Sequence, residues 1–332
     1  MTSYQQILNN ILNNGTYKHP VRFNSDGKPV PVSNATIGTF CEIFRHDMST
    51  GFSLLTTKKM PIKTICVELE GFINGITDKE WYKDRGCNIW NEWANPIEVD
   101  KEYIYRLRSC LDLGETPETK NEVAESETDL GPIYGYQWRN FAQHYGEWEF
   151  EDYIDGGCCP ATGEYQQIDN RNGVDSGFDQ LKSIVDKLKE NPYDRRMVCS
   201  AWNPNQTHLM ALPPCHYAFT VVVYGDKLNL CWKQRSVDTF LGLPFNIASY
   251  AILLKLLAKE SNLKEGELVG VLEDCHIYEN HIDQIKEQLT REPYQLPTLN
   301  LTHNGSIFDW THQDIELINY NYHPAIKAEV TV

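Results

Sequence analysis

Ile7, Leu8, Ile11 and Leu12 recur at helical spacing and Gly15 ends the run, which predicts a short N-terminal helix. Arg22 to Val32 reads as a turn-rich loop, and Thr39 to Met48 mixes strand and helix signals. The stretch from Thr64 is similarly mixed, with Glu68 to Phe72 leading into a helix. Phe178, Leu181, Ile184, Val185 and Leu188 form one apolar helix face, ended near Asn191-Pro192. Met197 to Trp202 and Tyr217 to Tyr224 predict strands. Gly225-Asp226 is a turn, and Leu228 to Lys233 alternates back as a hairpin partner. Asn246 to Glu260 is apolar on most faces, so a buried helix is expected. His281 to Leu289 predicts another helix, and the tail is strand-rich. The pattern gives an α+β fold with a large mixed or antiparallel sheet carrying helices on one side. Neither a Rossmann glycine fingerprint nor a P-loop is present.

Two stretches interrupt this pattern. Residues 95–129 look like an insertion, with ten acidic against four basic residues from Ile97 to Asp129, and read as a solvated excursion. A second irregular region covers about residues 143–173 and contains Cys158-Cys159. No further ligands stand at a useful spacing from that pair, so no metal site is expected.

Composition narrows the function classes. The chain has 332 residues and a net charge of −16, which argues against a nonspecific nucleic-acid binder. None of the ten cysteines forms a Cys-x-x-Cys pair. No apolar run reaches membrane-spanning length, and the N-terminus has no signal-like pattern. A soluble, reducing, cytoplasmic setting with free thiols is expected.

Candidate chemistry concentrates in two blocks, Leu212-Pro213-Pro214-Cys215-His216 and Gln234 to Asn246. Cys215 follows two prolines at a strand entrance, and a hairpin brings Arg235 within reach. A nearby guanidinium would lower the thiol pKa and expose a thiolate. Arg195-Arg196, with Arg235-Ser236, could present forked donors to a phosphate dianion; exposed surface arginines are the bland reading. Asn246 can read the O4/N3–H edge of uracil, or cap the helix that it begins. His276 and Tyr278 could hydrogen-bond a sugar hydroxyl or be structural. Glu68 lies in an apolar stretch, where a carboxyl needs a partner or a proton. Trp90 and Trp93 offer flat faces for an aromatic cofactor or for ordinary packing.

These blocks, with Gly51 to Lys59, Asn88 to Ala94, Asp129 to Arg139 and Asp274 to Gln284, resemble the thymidylate synthase family in the correct order over most of the chain. The resemblance implies one catalytic domain over residues 1–332, with insertions at about 95–129 and 143–173. It implies reductive methylation of dUMP to dTMP with 5,10-methylenetetrahydrofolate and no metal. Cys215 would add to C6 of dUMP. Arg235, Gln234 and Ser236, with Arg195 and Arg196 from the other subunit of a homodimer, would hold the nucleotide. Asn246 would read uracil, and His276 and Tyr278 would bind the 3′-hydroxyl. Asp238, Trp90, Trp93, Leu241, Gly242, Phe245 and the terminal Val332 would line the folate side. Glu68 would move protons through water, and Tyr134 would help remove the C5 proton.

Departures from the family pattern are also present. No Arg-Thr-Gly-Thr loop occurs near Asn34 to Thr39, and Arg22 stands as its replacement. Glu70-Gly71 replaces a usual Leu-Trp, and Glu329 and Thr331 replace a usual Pro and Ala in the tail. These differences leave room for an alternative on the same fold: a dUMP hydroxymethylase, in which water captures the transferred carbon.

Overall fold

In the computed structural model the described residues are 2–19, 21–23, 28–31, 34–113, 119–143, 145 and 177–330. The strands are β1 (Thr16–Lys18), β2 (Val21–Phe23), β3 (Pro29–Pro31), β4 (Thr36–Asp47), β5 (Val198–Ser200), β6 (His216–Tyr224), β7 (Lys227–Asp238), β8 (Lys264–Tyr278), β9 (Thr298–Leu301) and β10 (Ile315–Ile318). The helices are α1 (Ser3–Asn14), α2 (Ile62–Asn74), α3 (Lys79–Asp84), α4 (Pro96–Leu113), α5 (Lys120–Ser126), α6 (Tyr134–Asn140), α7 (Gln180–Glu190), α8 (Gly242–Glu260) and α9 (Ile282–Leu289).

A six-stranded mixed sheet runs in the order β1-β4-β8-β7-β6-β5. Only β7 and β8 are parallel; the other neighbours are antiparallel. A parallel pair needs a crossover, and α8 supplies it. That role explains its near-continuous apolar sequence. α8 is packed between the sheet and α2, and Ile247, Ile252, Leu253, Leu254 and Leu257 are buried. Truncating one of these leucines to alanine costs about 2–5 kcal/mol. The inward sheet face carries Phe44, Trp232, Phe219 and Leu272, all buried. The opposite face pairs Ile43 with Val271 and Cys231 with Val269, and Val198 and Val222 on the outer strands are exposed.

Local chemistry sets the element ends. Thr2 and Gln5 form a reciprocal capping box at α1. Gly75 ends α2 in the left-handed region at φ 70°, where a glycine carries no Cβ penalty.

Two expectations need correction, and two further features add detail that the sequence did not carry. Residues 21–31 are not simply loop: β2 pairs antiparallel with β3, Arg22 opposite Val30. Within the acidic excursion the described residues form α4 and α5, which close on a small cluster of Ala94, Val99 and Val123. Phe178 does not join the face of α7; it precedes the helix, is exposed, and pairs with Phe141 through backbone hydrogen bonds. Gly71 has a packing reason: the Tyr82 ring fills the space that a side chain there would need.

Candidate active site

Cys215 stands one residue before β6, beside a bulge between His216 and Ala218. Arg235 on β7 ties this entrance down. Its backbone N–H donates to the Cys215 carbonyl at 2.9 Å, Nε to Pro214 O at 3.0 Å, and Nη2 to Pro213 O at 2.8 Å. The Cys215 N–H donates to the Tyr134 hydroxyl oxygen at 2.9 Å. The expected low thiol pKa is not what this arrangement gives. Burial pushes the Cys215 thiol up, and Arg235 and Tyr134 offset only part of the rise.

Tyr134 is the hub of a buried aromatic group. Its ring stacks on Phe72 at 4.8 Å and on His216 at 4.3 Å. Its hydroxyl is held well above its ordinary pKa by burial and then by Cys215, with Glu68 adding to the effect. Burial takes His216 down to about 3, so its ring is neutral; Nδ1 lies 2.9 Å from the Tyr250 hydroxyl. Glu68, buried on α2, is pushed up to about 8 by desolvation. The Trp90 indole opposes that rise, although Nε1 makes no hydrogen bond of ordinary geometry. The apolar setting thus gives Glu68 a proton rather than a partner.

Asn246 is not a helix cap. It lies inside α8, whose N-terminus has no side-chain cap. Its Oδ1 accepts from Gln234 Nε2 at 3.1 Å, and Gln234 Oε1 in turn accepts from Trp232 Nε1 at 3.2 Å. Gln234 therefore sits behind Asn246 and also reaches Ser236 O at 3.1 Å. His276 Nδ1–H donates to Asp274 O at 3.1 Å. Tyr278 meets the His276 ring edge-on at 5.2 Å, and its hydroxyl is raised to about 12 by burial, with Asp238 and Cys215 adding to it. Asp238 Oδ1 accepts from the backbone N–H groups of Phe240 (2.9 Å) and Leu241 (3.2 Å), forming the turn into α8.

Lys58 belongs to this region and escaped sequence reasoning. It is buried, donates to the Phe240 carbonyl, and lies 3.8 Å over the Phe240 ring. Burial takes it down to about 8 against the pull of Asp238. Its neighbours Thr57 and Lys59 are polar, so no periodicity marks it as buried.

On the far side, Trp90 is buried near Phe72, Tyr82 and Tyr134. Trp93, Leu241 and Phe245 are partly buried against the core, and Gly242 opens α8 beside them. Trp90 Nε1 and Asn91 Oδ1 are buried without a hydrogen-bond partner. Flat apolar walls with orphaned polar atoms suit a planar heterocycle with donors and acceptors at its edge. The tail folds over the Leu55–Met60 loop. Tyr320 donates to Leu55 O at 2.8 Å and His323 N–H to Thr56 O at 2.8 Å. Farther along, His281 Nε2–H donates to Glu329 O at 2.7 Å.

Arg195 and Arg196 are exposed just before the edge strand β5. Arg22 lies on β2. Val332, Thr331 and Cys158-Cys159 fall outside the described residues. Among the described residues, no group of three His, Cys, Asp or Glu side chains could hold a metal ion. No helix among them is long and apolar enough to cross a membrane. Cys41, Cys66, Cys87, Cys199, Cys215, Cys231 and Cys275 are free.

A family model described as thymidylate synthase matches residues 2–332. The chain is 40% identical over 333 residues to the thymidylate synthase of Mycoplasma genitalium, all of both chains being covered. It is 38% identical over 341 residues to that of Mycoplasma pneumoniae, again with full coverage of both. It is 39% identical to that of Staphylococcus haemolyticus, over 90% of this chain and 91% of the relative.

Proposed function

The chain belongs to the thymidylate synthase family, and from that premise we infer that Cys215 is the nucleophile of its reaction. The enzyme is a methyltransferase that converts dUMP to dTMP by reductive methylation with 5,10-methylenetetrahydrofolate. The observation that carries the assignment of roles is the meeting of Cys215, Arg235 and Tyr134, with Glu68 acting on the same tyrosine.

In this reading the Cys215 sulfur adds to C6 of dUMP. The C5–C6 double bond opens, and the electron pair passes through C5 to O4. Arg235 is the charge that favours the thiolate, against the burial that raises the thiol. Asn246, held by Gln234, donates Nδ2–H to O4 and distinguishes uracil from cytosine. Glu68 carries a proton up to about pH 8 and passes it through water to the base edge. C5, made nucleophilic by the addition, bonds to the one-carbon unit; Tyr134 then helps draw off the C5 proton, and as the hydride reaches the transferred carbon the sulfur leaves C6 and the ring double bond returns. The 3′-hydroxyl hydrogen-bonds to His276, beside Tyr278. Arg235, Ser236 and Arg22 take the phosphate side.

Trp90, Trp93, Asp238, Leu241, Gly242, Phe245 and Val332 hold the reduced folate. When bound, it supplies the one-carbon unit and then a hydride. The tail excludes water from that step. The exposed valines and Ile43 on the outer sheet face support a homodimer, in which Arg195 and Arg196 reach the partner's nucleotide. A cytoplasmic setting goes with a nucleophile that must stay a free thiol. Residues 95–129 and 143–173 are additions to this one catalytic domain.

Product analysis tests the reaction. With dUMP and methylenetetrahydrofolate, dTMP and dihydrofolate are expected in equal amounts. Hydroxymethylated nucleotide with tetrahydrofolate alone would mean that water, not hydride, completes the transfer, which is the hydroxymethylase outcome.

A further inference from the structure

Lys79, at the first position of α3, is only 2% exposed, and its ammonium reaches three backbone carbonyls. Nζ lies 3.1 Å from Asn91 O, 3.2 Å from Trp93 O and 2.6 Å from Ala124 O. An ammonium has three N–H donors, so these contacts account for all of them. Asn91 and Trp93 belong to the turn that carries Trp90, closed by Trp93 N–H to Trp90 O at 3.0 Å. Ala124 lies in the last turn of α5, where a cation complements the negative helix end.

The surroundings join the same pieces. Lys79 N–H donates to Thr128 O at 2.9 Å, and Leu130 N–H to Thr77 O at 2.8 Å. Asn95 and Asp129, at the two ends of the excursion, are tied by Asn95 N–H to Asp129 O at 2.7 Å and by their side chains at 2.9 Å. Val123 on α5 is fully buried against Ala94 and Val99. The excursion is therefore fastened at its base to the turn bearing two tryptophans.

We propose that Lys79 is a positioning residue, through which α4 and α5 fix the Trp90–Trp93 turn in the geometry that the folate side of the site requires. The inference rests on the reading that Trp90 and Trp93 line that side. Removing the ammonium leaves three partly buried carbonyls without this donor, and the turn relaxes to find others. The excursion then acts as a buttress for the turn.

The test is Lys79→Met in the full-length enzyme, with the KM for methylenetetrahydrofolate and the Kd for dUMP measured separately. The folate KM is expected to rise about tenfold, as a misplaced binding wall would cause, while the dUMP Kd stays within about twofold. A folded variant with unchanged folate KM, or with both ligands weakened equally, overturns the proposal. Should Lys79→Met fail to fold, Val123→Ala decides: it loosens α5 without touching the turn. A rise of about threefold in folate KM with dUMP unaffected supports the buttress, and no rise overturns it. Trp93→Ala separates the two layers. An unchanged folate KM there sinks the folate-wall reading itself, whereas a raised one beside a normal Lys79→Met sinks only the role of Lys79.

Discussion

Gln234 Nε2 donates to Asn246 Oδ1 at 3.1 Å, so the Asn246 amide is fixed with its Nδ2 donors directed away from Gln234. A carboxylate at position 246 could keep the Gln234 contact but would turn the donating edge into an accepting one. Asn246→Asp is therefore expected to lower kcat/KM for dUMP by on the order of 10–100-fold and to tighten dCMP binding. Steady-state kinetics with both nucleotides check this. Undiminished dUMP turnover would remove Asn246 from base recognition.

Glu68 makes stability depend on pH. Its folded pKa of about 8 lies above the ordinary 4.5, so between those values the folded protein holds a proton that the unfolded chain has released. The stability it confers is complete below about pH 4.5 and is lost as pH rises through about 8. Glu68→Gln keeps the neutral shape at every pH. Unfolding free energies from urea titrations between pH 5 and pH 9 are expected to fall more steeply for the wild type than for Glu68→Gln, by on the order of a few kcal/mol across the window. Parallel profiles for the two proteins would mean that Glu68 is ionised in the folded state at neutral pH.

Glu70 and His312 join α2 to the C-terminal segment. Glu70 Oε2 accepts from the His312 backbone N–H at 2.7 Å and lies 2.7 Å from Nδ1, with both side chains almost wholly buried. His312→Ala is expected to destabilise the wild type by about 3 kcal/mol, because it strips a buried carboxylate of a partner. In a Glu70→Leu background the same change is expected to cost less than about half as much. Chemical denaturation of the four proteins closes the cycle, and equal losses in both backgrounds would show the two residues to be independent.

The elements most legible in the sequence were those whose burial is written locally. β6 and β7 follow from alternation on either side of Gly225-Asp226, and α8 from its apolar run. The parallel pairing of β7 with β8 was not legible, since alternation does not encode strand direction. β2 and β3 are three residues each; β2 follows Pro20 and β3 begins and ends in proline, so they carry no period. The residue types and their order singled out Cys215, Tyr134, Arg235, Asn246 and Glu68 as candidates, and the structure brings Cys215, Tyr134 and Arg235 into hydrogen-bonding contact. Burial set what the sequence could not: the thiol that rises rather than falls, the neutral His216, and the enclosed Lys58 and Lys79. Each depends on chain segments distant in sequence. Glu70 looked like a lone polar change in an apolar stretch; its partner stands 242 residues away.

The most direct measurement is mass spectrometry of the denatured protein after incubation with 5-fluoro-dUMP and methylenetetrahydrofolate. Fluorine at C5 cannot leave as the proton does, so a sulfur–C6 bond, once formed, is trapped. The account predicts a mass increase equal to nucleotide plus folate, located on the peptide containing Cys215 and absent from Cys215→Ala. No increase, or an increase on another residue, in protein that turns over dUMP would contradict it.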